Sequence, residues 1–264
     1  MNIKQTLASL IFAGVAASFA PLAAEEGDAI WKAVHDNSFR TEDQKARDGA
    51  RHPEEVLRFA GITETMTVGE VNPSSFWYTH ILATLLKEKG TYVGLEHHPD
   101  HYAHMEGYAK RLAMFPDKVK ENKELFGDRA IAAFIPAKEG LPTEAGSLDM
   151  VLSFRSMHNW KRRGFFDEAV NQTWDMLKDG GYFVIVQHRA QENVTDASDK
   201  LFDKGRWKQS ELVAAMEARG FKLVASSEVN ANAKDVGGYP IGVWNLPPSL
   251  SGDQSERDYK AIGE

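Results

Sequence analysis

Cysteine is absent from this chain of 264 residues. Its absence excludes a disulfide framework, a thiolate metal site and a lipid anchor attached to cysteine. The glycine-rich phosphate loop, the G-x-G-x-x-G fingerprint of dehydrogenases and the G-x-S-x-G elbow of serine hydrolases are absent as well. Each of these motifs shapes a backbone for one chemistry, so the sequence excludes these three classes of enzyme.

An excess of positive charge is also lacking. The chain has 31 Lys and Arg against 38 Asp and Glu, which gives a net charge of −7 at pH 7. Such a charge disfavours binding to nucleic acid or to anionic membrane surfaces. Neither of these is therefore an expected partner. The length of the chain suits one α/β domain with extensions.

Long apolar runs are missing, and the one run near the start is short. Lys4 precedes LASLIFAGVAASFA, and the small residues of PLAAEEGDA follow it. This run falls short of the ~20 residues that span a membrane, and its flanks are those of a secretory signal. We predict a cleavable signal peptide over residues 1–24, a periplasmic or secreted location, and no membrane insertion after cleavage. An uncleaved anchor is the alternative.

After this segment, strand-like and helix-like runs alternate. Residues 25–62 are predicted to form a helical extension, and residues 63–264 one α/β domain. Its strand cores have little polar alternation, as in MTVGEV, TYVGLE, LDMVLSF and YFVIVQH. Such strands are typical of a parallel sheet covered by helices on both faces, so we predict a doubly wound, Rossmann-like fold. Ligands of such folds bind beyond the carboxyl ends of the strands.

Two of these strand ends carry acids. Glu70 precedes the turn Asn72-Pro73-Ser74-Ser75-Phe76, and Glu96 ends the next strand. A carboxylate at the first place suits a ligand amine, and an acid about 20 residues beyond the first turn suits the hydroxyls of a ribose. Solvated surface acids are the alternative for both.

Histidines are concentrated in EHHPDHYAHMEG, which supplies His97, His98, His101 and His104. Imidazole nitrogens beside carboxylates suit zinc, copper or nickel. The spacing matches no closed metal site, and helix starts are commonly polar. Metal binding is therefore one of two interpretations of this segment.

Two further strand ends carry histidine. Arg155, His158, Asn159 and Trp160 follow LDMVLSF, and the strand YFVIVQH ends in Gln187-His188, followed by Arg189. A histidine that titrates near neutral pH suits general base catalysis or hydrogen bonding to a ligand. The alternatives are a structural network that ties the loops together and a tryptophan that only packs.

Long stretches of the chain resemble predicted exported methyltransferases with the class I S-adenosylmethionine fold. The resemblance includes KARDGARHPEEVLRFAGI, EVNPSSFWYTHILA, LDMVLSFRSMHNW, LKDGGYFVIVQHRA and GVWNLPPSLSGDQSERDYKAIGE. It implies a seven-stranded sheet whose final strand is antiparallel, and S-adenosylmethionine as cofactor. It also implies a cofactor cleft at the ends of the first and second strands. By position, it assigns cofactor contacts to Glu70, Asn72, Pro73, Ser74, Ser75, Phe76, Tyr78, Glu96, Arg155, Asn159 and Trp160. It places His158, as the candidate base, with His188 and Arg189 near the transferred methyl group.

The chain departs from the family pattern in two places. Ser74, Ser75 and Phe76 stand where the family has glycines, so a positive φ at Phe76 would strain the backbone. The ring of Phe76 is then expected in the cofactor volume. The final antiparallel strand is expected to be missing, since the chain stops after KAIGE. An inactive binding protein with this fold is therefore an alternative to a methyltransferase of small molecules.

Overall fold

The computed structural model describes residues 7–13, 23, 25–73 and 75–264. Its centre is a sheet with the strand order β4-β3-β2-β5-β6-β1-β8, and a short β7 pairs with β6. The strands are β1 (Leu7–Ala13), β2 (Thr67–Val71), β3 (Thr91–His97), β4 (Ile131–Ile135), β5 (Leu148–Phe154), β6 (Leu177–Ala190), β7 (Trp207–Lys208) and β8 (Lys222–Ser227). The predicted α/β fold is confirmed.

The central strands of the sheet run parallel. β2 pairs with β3 on one side and β5 on the other, and β5 pairs with β6. The carboxyl ends of β2, β3, β5 and β6 therefore lie along one edge of the sheet. At this edge each strand leaves a loop that can contact a ligand.

An antiparallel strand does complete the sheet, and it comes from the start of the chain. Leu7–Ala13 pairs antiparallel with β6 and with β8. In the described part of the chain no strand follows β8, and the antiparallel place that the resemblance gives to a final strand is filled by β1 instead. The rest of the predicted signal peptide, residues 1–6, 14–22 and Ala24, lies outside the described residues.

Helices cover both faces of the sheet. Their bounds are α1 (Ala29–His35), α2 (Glu42–Lys45), α3 (Asp48–Arg51), α4 (Pro53–Ala60), α5 (Trp77–Leu86), α6 (Glu106–Ala113), α7 (Phe115–Glu121), α8 (Lys123–Phe126), α9 (Met157–Arg162), α10 (Phe166–Met176), α11 (Ser198–Asp203), α12 (Gln209–Glu217) and α13 (Tyr259–Ile262). Short 3-10 helices span Pro99–Tyr102 and Gly242–Asn245. Within the described part of the chain, none of the helices has the length and apolarity needed to cross a bilayer.

Two hydrophobic cores result, one on each face. On one face α1, α4, α5, α7 and α8 pack against alternate strand residues such as Val68 and Met150. On the other face α9, α10 and α12 pack against Val151 and Phe183. Because successive strand residues point to opposite faces, both faces must be apolar, as the unbroken apolar strands predicted.

Candidate functional site

A cleft of about 480 Å³ lies at the carboxyl edge of the sheet. Ser75 from the loop after β2, Arg155 from the loop after β5 and His188 near the end of β6 line it. His158 and Asn159 of α9 line it too, and the segment 243–249 contributes to its wall. This volume is in the range of small-molecule sites.

The loop after β2 is held to its neighbours by Asn72. Its backbone N–H donates to the Leu95 carbonyl at 2.9 Å, and its Nδ2 donates to Ser156 Oγ at 3.0 Å. Asn72 has a φ of 55°, in the left-handed region. Its Oδ1 is buried and has no hydrogen-bond partner among the residues described. A buried acceptor without a partner is unfavourable, so a ligand donor would satisfy it.

The turn that begins α5 has the predicted backbone strain. Phe76 has a φ of 57°, and its N–H donates to the Pro73 carbonyl at 2.7 Å. Its ring packs edge-to-face on Phe115 and Phe126, with centroids 6.2 and 6.0 Å away. The half-buried ring therefore packs against the hydrophobic core, and Ser75 of the same turn lines the cleft. Ser74 lies outside the described residues.

Glu70 is buried beneath α5. Its Oε2 accepts hydrogen bonds from Thr79 Oγ1 at 2.8 Å and from the Tyr92 hydroxyl at 2.7 Å. Burial raises the pKa of Glu70 to about 7, against the two hydrogen bonds, which lower it. A carboxyl this buried is not the solvated strand-end acid of the alternative interpretation.

Glu96 is buried on the same face of the sheet. Its Oε1 accepts from the N–H of His97 at 2.8 Å. Burial raises the pKa of Glu96 to about 8, and the charge of Glu70 adds to the increase. Glu96 is not a surface acid, and it does not line the cleft.

Tyr78 and Arg155 lie close to each other at this edge of the sheet. The Tyr78 ring stacks on Phe154 with a centroid distance of 3.5 Å, and burial raises its pKa. Arg155 has a φ of 57° and donates its backbone N–H to the Val186 carbonyl at 2.6 Å. Positive φ at Asn72, Phe76 and Arg155 concentrates strain at this edge, which is typical of functional sites.

His158 faces the cleft as a neutral ring. Burial lowers its pKa to about 3, and the charge of Arg162 lowers it further. Its Nδ1 lies 3.4 Å from Gln187 Nε2, and its ring contacts the Trp244 ring edge-to-face at 5.7 Å. An amide N–H next to Nδ1 favours the tautomer that carries its proton on Nε2.

Three other predicted residues differ in their surroundings. The half-buried His188 lines the cleft, and burial with the charge of Arg155 places its pKa well below the usual range. Arg189 lies outside the cleft lining, where it forms a two-pronged ion pair with Glu228 at 2.7 and 2.8 Å. Gln187 donates to the Gly205 carbonyl at 2.9 Å.

Trp160 belongs to the core. It is fully buried, and its Nε1 donates to His97 Nε2 at 3.2 Å. Because an indole N–H can only donate, His97 carries its proton on Nδ1 and donates it to the Tyr102 hydroxyl, 3.0 Å away. Burial lowers the pKa of His97 to about 3. Trp160 therefore packs against the fold, as the alternative interpretation held.

The histidine side chains of the segment 97–104 do not come together at one point. His98 Nδ1 accepts from the Asp100 N–H at 3.3 Å, His101 packs on Phe165, and His104 Nε2 lies 2.8 Å from an Arg163 nitrogen. Within residues 7–13, 23, 25–73 and 75–264, no group of three or more His, Asp or Glu is arranged to hold a metal ion. The metal-binding interpretation is not favoured.

Sequence reasoning missed the charge of the cleft. Among the described residues, five arginines line it, and the Glu264 side chain is the single acidic side chain in the lining. The available signal had two parts. Arg47 and Arg51 are four residues apart, and Arg162 and Arg163 are adjacent. It was missed because arginines on short helices are usually solvated, and only the tertiary fold brings these together.

Comparison with known proteins gives matches among solved structures only. No protein-family model matches the chain, and no curated protein matches it in sequence. A SAM-dependent methyltransferase from Aquifex aeolicus matches in structure at 17% identity over 68% of this chain and 85% of that chain, with a TM-score of 0.48. The cyclase SpnF matches at 16% identity over 78% of this chain and 67% of its own, also with a TM-score of 0.48.

Proposed function

We propose that this protein is an S-adenosylmethionine-dependent methyltransferase of a small molecule. The observation that carries the proposal is the buried Oδ1 of Asn72, which has no partner among the described residues and belongs to the same loop after β2 as Ser75, a residue that lines the cleft of about 480 Å³. This loop is the one to which the sequence resemblance assigns the cofactor. An acceptor at that place suits the ammonium group of a methionine moiety.

The residues present fit such a cofactor in part. Asn72 offers an acceptor, and Ser75 and Asn159 offer polar side chains at the cleft. Glu96 is buried with a raised pKa and does not line the cleft, so the ribose contact implied by the resemblance is not assigned to it. When bound, S-adenosylmethionine supplies an electrophilic methyl group.

The chain's own part in the reaction is to position the reactants and to exclude water. His158 is a weak base with a pKa of about 3, so we assign it the role of a hydrogen-bond donor through Nε2 to the bound molecule. This assignment replaces the expectation of a general base. An acceptor that is already deprotonated needs no base at all.

The inactive alternative depended on the ring of Phe76 filling the cofactor volume. Since that ring packs on Phe115 and Phe126, this steric argument no longer supports it.

Replacing Phe76 with glycine tests the point. Glycine relieves about 1 kcal/mol of left-handed strain but loses ring packing of about 2–3 kcal/mol. We expect a net destabilisation of about 1–2 kcal/mol, measured by urea unfolding. The affinity for S-adenosylhomocysteine should change less than about threefold, which corresponds to about 0.6 kcal/mol. Ser75→Gly, in the same turn, is the matched control for stability. A tenfold gain in affinity on Phe76→Gly would restore the steric argument.

We also propose export through residues 1–24. Cleavage after export would remove β1. The sheet of the cleaved chain would therefore lack this strand, whereas the uncleaved chain keeps it. Mass spectrometry of the N-terminal peptide, from protein purified out of the periplasmic fraction, decides between them. Export with cleavage predicts a new N-terminus near residue 25, whereas an intact residue 1 contradicts the cleavage and favours the uncleaved anchor.

Activity is tested with S-adenosylmethionine that carries a tritium-labelled methyl group. The full chain is incubated with a mixture of small-molecule extracts, and the label is followed into products separated by chromatography. We expect a labelled product together with S-adenosylhomocysteine. No transfer by a folded protein that binds neither compound would refute the proposal.

A further inference from the structure

The cleft carries a charge that is opposite to that of the protein. The chain has a net charge of −7, yet the cleft lining contains five arginines and one carboxylate. The arginines are Arg47, Arg51, Arg155, Arg162 and Arg163. Arginine is the side chain best suited to bind carboxylates, because its planar fork donates several hydrogen bonds at once.

Three of these arginines converge on one carboxylate. Arg51 Nε donates to Glu264 Oε2 at 2.6 Å, and Arg155 Nη1 donates to the same oxygen at 3.4 Å. Arg47 Nε donates to Oε1. The Glu264 side chain is 9% exposed in this position. The site therefore binds both oxygens of a carboxylate away from water.

The arginines are held in place before any ligand arrives. The Arg51 guanidinium lies 4.5 Å from the centre of the Trp77 ring, and its side chain is 7% exposed. The backbone of Arg155 is held by its hydrogen bond to the Val186 carbonyl. Preorganised donors lose little conformational entropy on binding, which favours affinity for an anion.

One side-chain carboxylate accepts from three guanidinium groups in this cluster. Two acids of neighbouring segments are paired elsewhere, since Asp48 binds Arg40 and Asp235 binds Arg206. Uncompensated charge that is withdrawn from water is unfavourable, so the cluster favours an anionic occupant.

Glu264 reaches the cluster because its segment is docked. Asn232 Nδ2 donates to the backbone oxygens of Ile262 and Glu264 at 2.8 and 2.9 Å. Tyr259, in the same segment as Glu264, is buried. The side chain is thus present at a high effective concentration, in the millimolar range for a tethered group.

We propose that Arg47, Arg51 and Arg155 form a binding site for the carboxylate of a small-molecule ligand, and that Glu264 occupies it as an internal competitor. Arg155 follows β5, and the three arginines line the same cleft as Ser75 and His188. Naming the ligand as the methyl acceptor rests on the proposed function. The carboxylate site itself does not.

Glutarate is the probe, because it reproduces the Glu264 side chain and carries a second carboxylate. In calorimetric titrations of the full chain, Glu264→Ala should bind glutarate at least about tenfold more tightly than the unchanged protein, because the tethered competitor is gone. Glu256→Ala, an exposed acid in the same segment, should have no effect. Glu264→Gln, which keeps the side-chain length, is the second variant should the alanine variant fail to fold.

Two controls establish that the arginines are responsible. Adding Arg47→Met, at a partly exposed position, to Glu264→Ala should weaken glutarate binding at least about tenfold. The neutral diamide of glutaric acid should bind neither variant. Equal glutarate affinity with and without Glu264, or equal affinity of the diamide, would overturn the proposal.

Competition with S-adenosylhomocysteine shows whether the bound carboxylate belongs to the methyl acceptor or to the cofactor. If saturating S-adenosylhomocysteine leaves glutarate binding unchanged, the site belongs to the acceptor. If it displaces glutarate, the arginines hold the amino-acid carboxylate of the cofactor, and the carboxylate site still stands. Absence of any S-adenosylhomocysteine binding refutes the proposed function while leaving the glutarate result valid.

Discussion

Raising the pH from about 6.5 to about 9 is expected to lower the free energy of unfolding by about 3 kcal/mol. The cause is the buried pair Glu70 and Glu96, whose pKa values are raised to about 7 and about 8 from 4.5. The folded state holds protons that the unfolded state releases. Their stabilising contribution is complete below pH 4.5 and is lost as the pH rises through the two raised pKa values.

Glu96→Gln separates this effect from general alkaline destabilisation. Glutamine keeps an oxygen that accepts from the His97 N–H, and it has no proton to lose. We expect the variant to be more stable than the unchanged protein at pH about 9 and to lose most of the alkaline slope. The measurement is the urea midpoint across the pH range, with the exposed Glu256→Gln as control. Parallel profiles for the variant and the unchanged protein would contradict the burial of Glu96.

The acid side of the profile has a different origin. His97 and His158 have their pKa values lowered by burial to about 3 from 6.5, so both are neutral in the fold. Their contribution to stability is present above pH 6.5 and is lost as the pH falls towards 3. The buried acids stabilise the fold more at low pH, and the buried histidines stabilise it more at high pH. Stability should therefore be greatest between these two ranges, at about pH 6.

Asn72→Gly should weaken S-adenosylhomocysteine binding at least about tenfold, or about 1.4 kcal/mol, with little loss of stability. Glycine adopts the φ of 55° without strain, which offsets the lost hydrogen bond to Ser156. It also removes the buried Oδ1 acceptor, on which the cofactor assignment rests. Calorimetry measures the affinity, and thermal unfolding confirms the fold.

Asn72→Asp is the matched variant. Aspartate tolerates the left-handed region and keeps an acceptor oxygen at the same place, so cofactor affinity should be retained. Equal affinity of the glycine variant and the unchanged protein would exclude Asn72 as a cofactor contact.

The fold followed from the sequence because its main signals are local. Apolar strands such as LDMVLSF alternate with helices, and two apolar strand faces require two helical layers. The place of the cleft followed from the same alternation, since the ends of parallel strands form one edge. Ser75, Arg155, His158, Asn159 and His188 were predicted for the site, and all five line the cleft.

What could not be predicted depends on contacts between distant segments. The direction of the Phe76 ring depends on Phe115 and Phe126, which lie about 40 and 50 residues further along the chain. The convergence of Arg47, Arg51 and Arg155 on Glu264 joins residues that are at least 109 positions apart in the sequence. The pairing of Leu7–Ala13 with β6 and β8 is equally non-local.

The most direct test of the central claim is calorimetric titration of the full chain with S-adenosylhomocysteine. We predict binding of one molecule per chain in the micromolar range, about −8 kcal/mol. Binding should be lost or strongly weakened in Asn72→Gly and retained in Asn72→Asp. Absence of heat and of any shift in thermal unfolding, in protein shown to be folded, would contradict the account.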